Sequence, residues 1–179
     1  TACNDLSFPI GDRTGGALLT AYINMVTVSA GTMTLSKDTT SPTGNVAAGA
    51  TSVVLGRFEV KATGEDMEVR QFSYSVIRSV ATDLSGTLYF KVREKDTTNT
   101  TTLYSMAGST ADYTNDSTAR TTTFVTLKAG KTYFIEAIGD ISSTVASNVT
   151  YAVTALDVTS VKRISSNDIV DPTVTAVTA

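Results

Sequence analysis

The chain has 179 residues, a formal net charge of −3 and 17% charged residues, a size that fits one domain with a core large enough to need no staples. An acidic chain with no basic run argues against nucleic acid as a partner. The lack of His removes the commonest general base and metal ligand, and a single cysteine, Cys3, rules out an internal disulfide.

Thr1–Gly16 reads as an extended arm that ends at a glycine pair able to act as a hinge. Within it Leu6, Phe8 and Ile10 alternate around Ser7 and Pro9. Pro cannot donate to a strand ladder, so the segment suits an edge. Residues 17–179 are then expected to form a single domain. Its first stretch, Gly16–Gly31, is the most apolar, but Thr20, Tyr22, Asn24, Thr27 and Ser29 interrupt it. No apolar run reaches the roughly 18 residues of a membrane span.

From Ala21 onward, apolar residues recur at every second position, the period of a strand with one buried face. Ala21, Ile23 and Met25 share a face, then Met33 and Leu35. Ser36–Ala50 is a polar loop with Pro and Gly. Thr51–Thr63 carries Val53 and Leu55, then changes phase to Phe58, Val60 and Ala62, which predicts a β-bulge at Gly56. Gly64–Asp66 is a tight turn. The next strand buries Phe72, Tyr74 and Val76; Asp83–Lys95 buries Leu88, Phe90 and Val92 and turns Tyr89, Lys91 and Arg93 outward. Polar loops flank a short segment, Leu103–Met106. Thr122–Ile141 holds two strands about a turn at Ala129–Gly130, and Asn148–Ile164 is a long strand region.

After Pro172 the chain contains only Thr, Val and Ala. This stretch reads as a further strand with two possible homes. It pairs within its own sandwich, or it is donated to another copy through Val174, Ala176 and Val177. Eight to ten strands and no amphipathic helix define an all-β chain. The expected architecture is an antiparallel β-sandwich, immunoglobulin-like or jelly-roll, with extended terminal segments.

No catalytic constellation is visible, because a nucleophile needs a base beside it and no Ser–Lys or paired-acid motif marks one. A non-enzymatic role is expected. Glu65, Asp66 and Glu68 are the densest acidic cluster. A charged turn is the favoured reading over glycosidase-type acids. No cofactor is expected beyond calcium, which takes oxygen ligands from loops. Asn167, Asp168 and Asp171 are its candidate ligands, with Asn115 and Asp116 as a second group; turn residues capping their own backbone are the competing reading. Asn99, Asn115 and Asn148 begin glycosylation sequons, relevant only in a host that modifies secreted chains. Tyr74, Tyr133 and Tyr151 lie in strands and are expected in the core or half-buried. Tyr113, in a loop, is the candidate for stacking on a glycan.

Two stretches carry a family likeness. Val26–Val76 combines a "VTVSAGTMTLS" strand, a Thr/Ser/Pro loop, an "AGATSVVLGRF" strand and an "ATGEDMEV" turn, and Leu127–Ile141 adds "LKAGKTYFIEAIGDI". The pattern resembles a β-sandwich domain of bacterial and archaeal cell-surface proteins, of the S-layer or extracellular-filament type. It covers about a third of the chain and carries no site residues. The resemblance implies an extracellular, cell-surface structural role. A first residue other than Met agrees with a removed secretory leader, and also with a trimmed chain. The expected function is a structural subunit of an extracellular filament or surface layer. It would assemble as a homopolymer by strand donation between identical copies, a pilus-like donor-strand complementation. The alternative is an adhesin or carbohydrate-binding module of a larger surface protein.

Overall fold

The computed structural model describes residues 30–78, 84–107, 120–172 and 177–178. Leu6, Phe8, Ile10, Tyr113, Asn115, Asp116, Val174 and Ala176 lie outside the described residues. Ten strands are described: β1 Thr32–Lys37, β2 Val53–Thr63, β3 Met67–Arg78, β4 Leu84–Glu94 and β5 Thr101–Ala107, followed by β6 Arg120–Leu127, β7 Thr132–Ile141, β8 Tyr151–Arg163, β9 Ile169–Val170 and β10 Val177–Thr178. Among the described residues no helix is long and apolar enough to cross a membrane.

The strands form two sheets, β1-β2-β7-β4-β5 and β10-β8-β3-β6, with β9 also on β8. Every pairing is antiparallel. Without β5 and β6, the order β1-β2-β7-β4 over β10-β8-β3 is that of immunoglobulin constant domains, in which strands A, B, E and D oppose C, F and G. The strand order therefore selects the immunoglobulin-like arrangement over the jelly roll, with β5 and β6 as an insertion between the D-like and E-like strands.

The alternation read from the sequence builds the core. Phe58, Val60, Ala62, Phe72, Tyr74, Val76, Leu88, Phe90 and Val92 are all buried, and Met33 joins them. Phe72, Tyr74 and Phe90 interlock, with Phe90 centred 5.2 Å from Phe72 and 4.4 Å from Tyr74. Tyr133 is buried as well, while Tyr151 is half-buried against the core. The register between β2 and β7 slips between Val54 and Gly56, where the phase of β2 changes. Gly56 is required there by close approach. A Cβ at this position would lie 2.9 Å from Cβ and Cγ2 of Val153 on β8. In antibody domains a disulfide joins the corresponding B and F strands; here Gly56 on β2 lets Val153 of β8 approach closely.

The central strand β7 also buries its outward side. Glu136 is only 4% exposed on the outer face. Its Oε1 accepts from Arg57 Nε at 2.7 Å and from Arg93 Nη2 at 3.2 Å. Both guanidinium groups also lie over the ring of Phe134, 5.3 and 4.7 Å from its centroid. The long side chains thus cover their own sheet.

The last described segment stays in its own sheet. Val170 pairs with Val161, and Val177 pairs with Leu156, so β9 and β10 both lie along β8. Val177 packs on the core as a half-buried side chain. At the other edge, Thr122 Oγ1 of β6 donates to the Leu103 carbonyl of β5 at 3.1 Å and ties the two sheets together.

Candidate functional site

The two ends of the sandwich are built differently. At the end where β2 turns into β3, the Gly64–Asp66 turn acts as a clasp. Gly64 has φ +89°, and a Cβ there would approach Gly31 Cα to 3.2 Å. Gly31 N–H donates to Glu65 Oε1 at 3.1 Å, and Arg163 Nη2 donates to the Gly31 carbonyl at 3.1 Å. Arg163 Nε lies 3.4 Å from Glu65 Oε1, and the Ser165 hydroxyl donates to Oε2. Asp66 accepts from Lys128 Nζ at 2.7 Å and from Ala129 N–H at 2.8 Å, while its carbonyl accepts from Ile164 N–H at 3.0 Å. Glu68 pairs with Arg70 at 2.5 Å.

These bonds set the electrostatics of the clasp. The Ser165 hydroxyl, the Gly31 amide and the Arg163 charge hold the Glu65 carboxyl below its ordinary value. Lys128, by hydrogen bond and charge, and the Ala129 amide do the same for Asp66. Asp66 in turn raises Lys128. The acidic cluster singled out in the sequence therefore fastens the β2–β3 turn to the entry of β1, the β6–β7 turn and the end of β8.

The contacts at the three calcium candidates run through the backbone of Asn167 and Asp168 and, at Asp171, toward Asp157. Asn167 sits in a left-handed turn, φ 62°, and its N–H donates to the Arg163 carbonyl at 3.0 Å. Arg163 N–H donates to the Asp168 carbonyl at 2.9 Å, and Asp168 N–H to Ser166 Oγ at 3.3 Å. Asp171 faces Asp157 of β8, whose carboxyl is raised first by burial and then by the Asp171 charge. Among the described residues no group of three or more acids, cysteines or histidines is arranged to hold a metal. Asn99 and Asn148 are exposed.

At the opposite end lies a groove of about 820 Å³. Val46, Val53, Leu55, Val145, Val149 and Tyr151 supply its apolar surface. It exists because β1 leaves β2 early. Their last paired residues are Lys37 and Phe58. The chain then swings out, held by Asp38 N–H to the Arg57 carbonyl at 3.1 Å and Arg57 N–H to Ser41 Oγ at 3.0 Å. It returns through Ile141 N–H to the Ala50 carbonyl at 2.8 Å and Ser52 N–H to Asp140 Oδ1 at 2.7 Å. Val53–Gly56 therefore has no strand on that side among the described residues. Val53, Leu55, Val145 and Tyr151 pack on the core yet stay half-buried. The core reaches the surface here.

A second, smaller hollow of about 290 Å³ lies on the outer face of the β10-β8-β3-β6 sheet. Phe124 and Ile169 border it, 54% and 67% exposed. Arg70 stacks over the Phe124 ring, 3.8 Å from its centroid.

No protein-family model matches the chain, and searches of curated proteins and of solved structures find no match.

Proposed function

We propose that the protein is a structural subunit of an extracellular filament or surface layer, assembled by strand donation between identical copies. The groove beside the Val53 end of β2 is the observation that supports this reading most. An extended segment laid along a strand edge gains main-chain hydrogen bonds, and its alternate side chains fill the hollow. Leu6, Phe8 and Ile10 form an alternating apolar series of that kind. Val177 pairs with Leu156 in its own sheet, which favours the Thr1–Arg13 segment as the donor. Such a contact joins two different surfaces and need not close, which gives open polymers. Negative-stain electron microscopy of the purified chain tests it. Long filaments or sheets are expected for the intact chain and dispersed particles for a Thr1–Arg13 deletion. A deletion variant that still polymerises overturns strand donation.

The Phe124–Ile169 hollow favours a second reading, a glycan-binding module of a larger surface protein. Exposed aromatic faces bind sugars, but here Arg70 already occupies the ring. Binding on a glycan array that disappears with Phe124→Ala would carry that reading ahead of the first.

A further inference from the structure

The groove and the entry of β1 lie at opposite ends of β2, and this bears on the direction of a strand exchange. Gly31 is fixed in the clasp by Glu65 and Arg163. The groove begins at Val53, at the other end of the same strand. The 11 residues of β2, at about 3.3 Å each, separate the two by roughly 35 Å.

The lining of the groove also selects its occupant. None of its residues is charged: hydroxyl and amide side chains such as Asn45, Ser147 and Thr150 accompany the aliphatic ones. A charged ligand would find no counter-charge. Leu6–Ile10 is uncharged, carries bulky apolar groups at every second position, and contains a proline, whose fixed φ is compatible with an edge strand. Half-buried Val53, Leu55 and Tyr151 offer apolar surface of the matching kind.

We infer that the groove at the Val53 end receives the Leu6–Ile10 segment of a neighbouring copy, and that the segment reaches it from that neighbour's clasp end. This rests on the filament reading and gives it a polarity: copies stack head to tail, groove onto clasp. Twenty residues separate Ile10 from Gly31, and at up to about 3.5 Å each they also reach the groove of their own chain. Reach does not decide the matter, so the test must separate the two routes.

The native Cys3, three residues before Leu6, is the probe. Ser147 is exposed on the groove wall and accepts a cysteine without disturbing the core. Chain retaining Cys3 is mixed with a size-tagged Cys3→Ser/Ser147→Cys chain, allowed to assemble, and oxidised. Head-to-tail docking yields a heterodimer in excess over both homodimers, and reduction removes it. The single chain with Ser147→Cys and native Cys3 yields a ladder of multimers. A fast-migrating, internally bridged monomer in place of the ladder overturns donation between copies. Asn99→Cys, in an exposed loop away from the groove, gives no heterodimer if docking is specific; equal yields at both positions overturn the assignment. The same samples are imaged. Filaments in which Cys3 forms no bridge to the Ser147→Cys thiol sink the groove assignment but leave the filament reading standing. No filaments and no bridge sink both.

Discussion

The clasp end and the groove end of this sandwich close their core by opposite means. At the clasp, Glu65, Asp66, Arg163 and Lys128 lace four chain segments together with charge-assisted bonds. At the groove, loops 38–50 and 142–150 border a hollow, and Val53, Leu55, Val145 and Tyr151 remain half-buried. The difference reverses a natural expectation about where function sits. The charged cluster, which looks like chemistry in the sequence, is committed to holding the fold. The neutral stretch, which looks like an ordinary strand start, leaves apolar surface uncovered. Uncovered apolar surface along a strand edge is where a partner gains most.

The largest expected effect lies between the two ends and calibrates them. Glu136→Ala leaves Arg57 and Arg93 without their shared carboxylate in a nearly buried site. The loss is expected at about 3 kcal/mol, the scale of breaking a buried ion pair. Urea unfolding measures it, and amide exchange should rise at both ends alike; a rise at one end only would show that the ends are not coupled through β7. Gly56→Ala comes next. Its Cβ would lie 2.9 Å from Val153, an overpacking expected to cost about 1–3 kcal/mol. Exchange should quicken first at Val53–Leu55 and Val153, beside the groove, with the clasp amides following. An equal response at Gly31 and Ala129 would break the distinction between the ends.

Acid should act in the other order. Glu65 and Asp66 have folded values below their ordinary 4.5 and 3.8. Their contribution is complete above those ordinary values and is lost as the pH falls through the lowered folded ones. Gly31 and Ala129 amides should therefore open before those of Val53–Leu55 in a titration below about pH 4.5. Glu65→Gln should reproduce the opening at Gly31 at neutral pH. The smallest effect is of opposite sign. Asp157 is raised above 3.8 by burial and by Asp171, so its charged form weakens the fold. Stability from this group falls as pH rises through the raised value, and Asp157→Asn should raise the melting temperature slightly at neutral pH. A lower melting temperature would mean that the carboxylate has a favourable partner.

Much of the fold was legible because strand period and burial obey the same rule. Phe58, Val60 and Ala62, and Phe72, Tyr74 and Val76, could be assigned to the core from alternation alone. The phase change at Gly56 located the bulge. The choice of immunoglobulin-like order was not legible, since strand order is set by crossovers and not by local pattern. The clasp was visible only as an acidic turn. Its partners lie 34 to 100 residues away along the chain, and no local rule connects them. The groove was missed for a related reason: Val53 and Leu55 have the pattern of core residues, and only the early departure of β1 at Lys37 leaves them half-covered. Val46, Val145 and Val149, apolar residues within otherwise polar loops, were the available signal.

Amide hydrogen exchange on assembled and dispersed chain tests the contrast between the ends most directly. Head-to-tail donation predicts its largest new protection on assembly at Val53–Gly56 and Val149–Val153, together with Leu6–Ile10, and a smaller gain at Glu65, Asp66 and Ala129, where the neighbouring copy abuts. Protection that appears at the clasp and leaves Val53–Gly56 unchanged would contradict it.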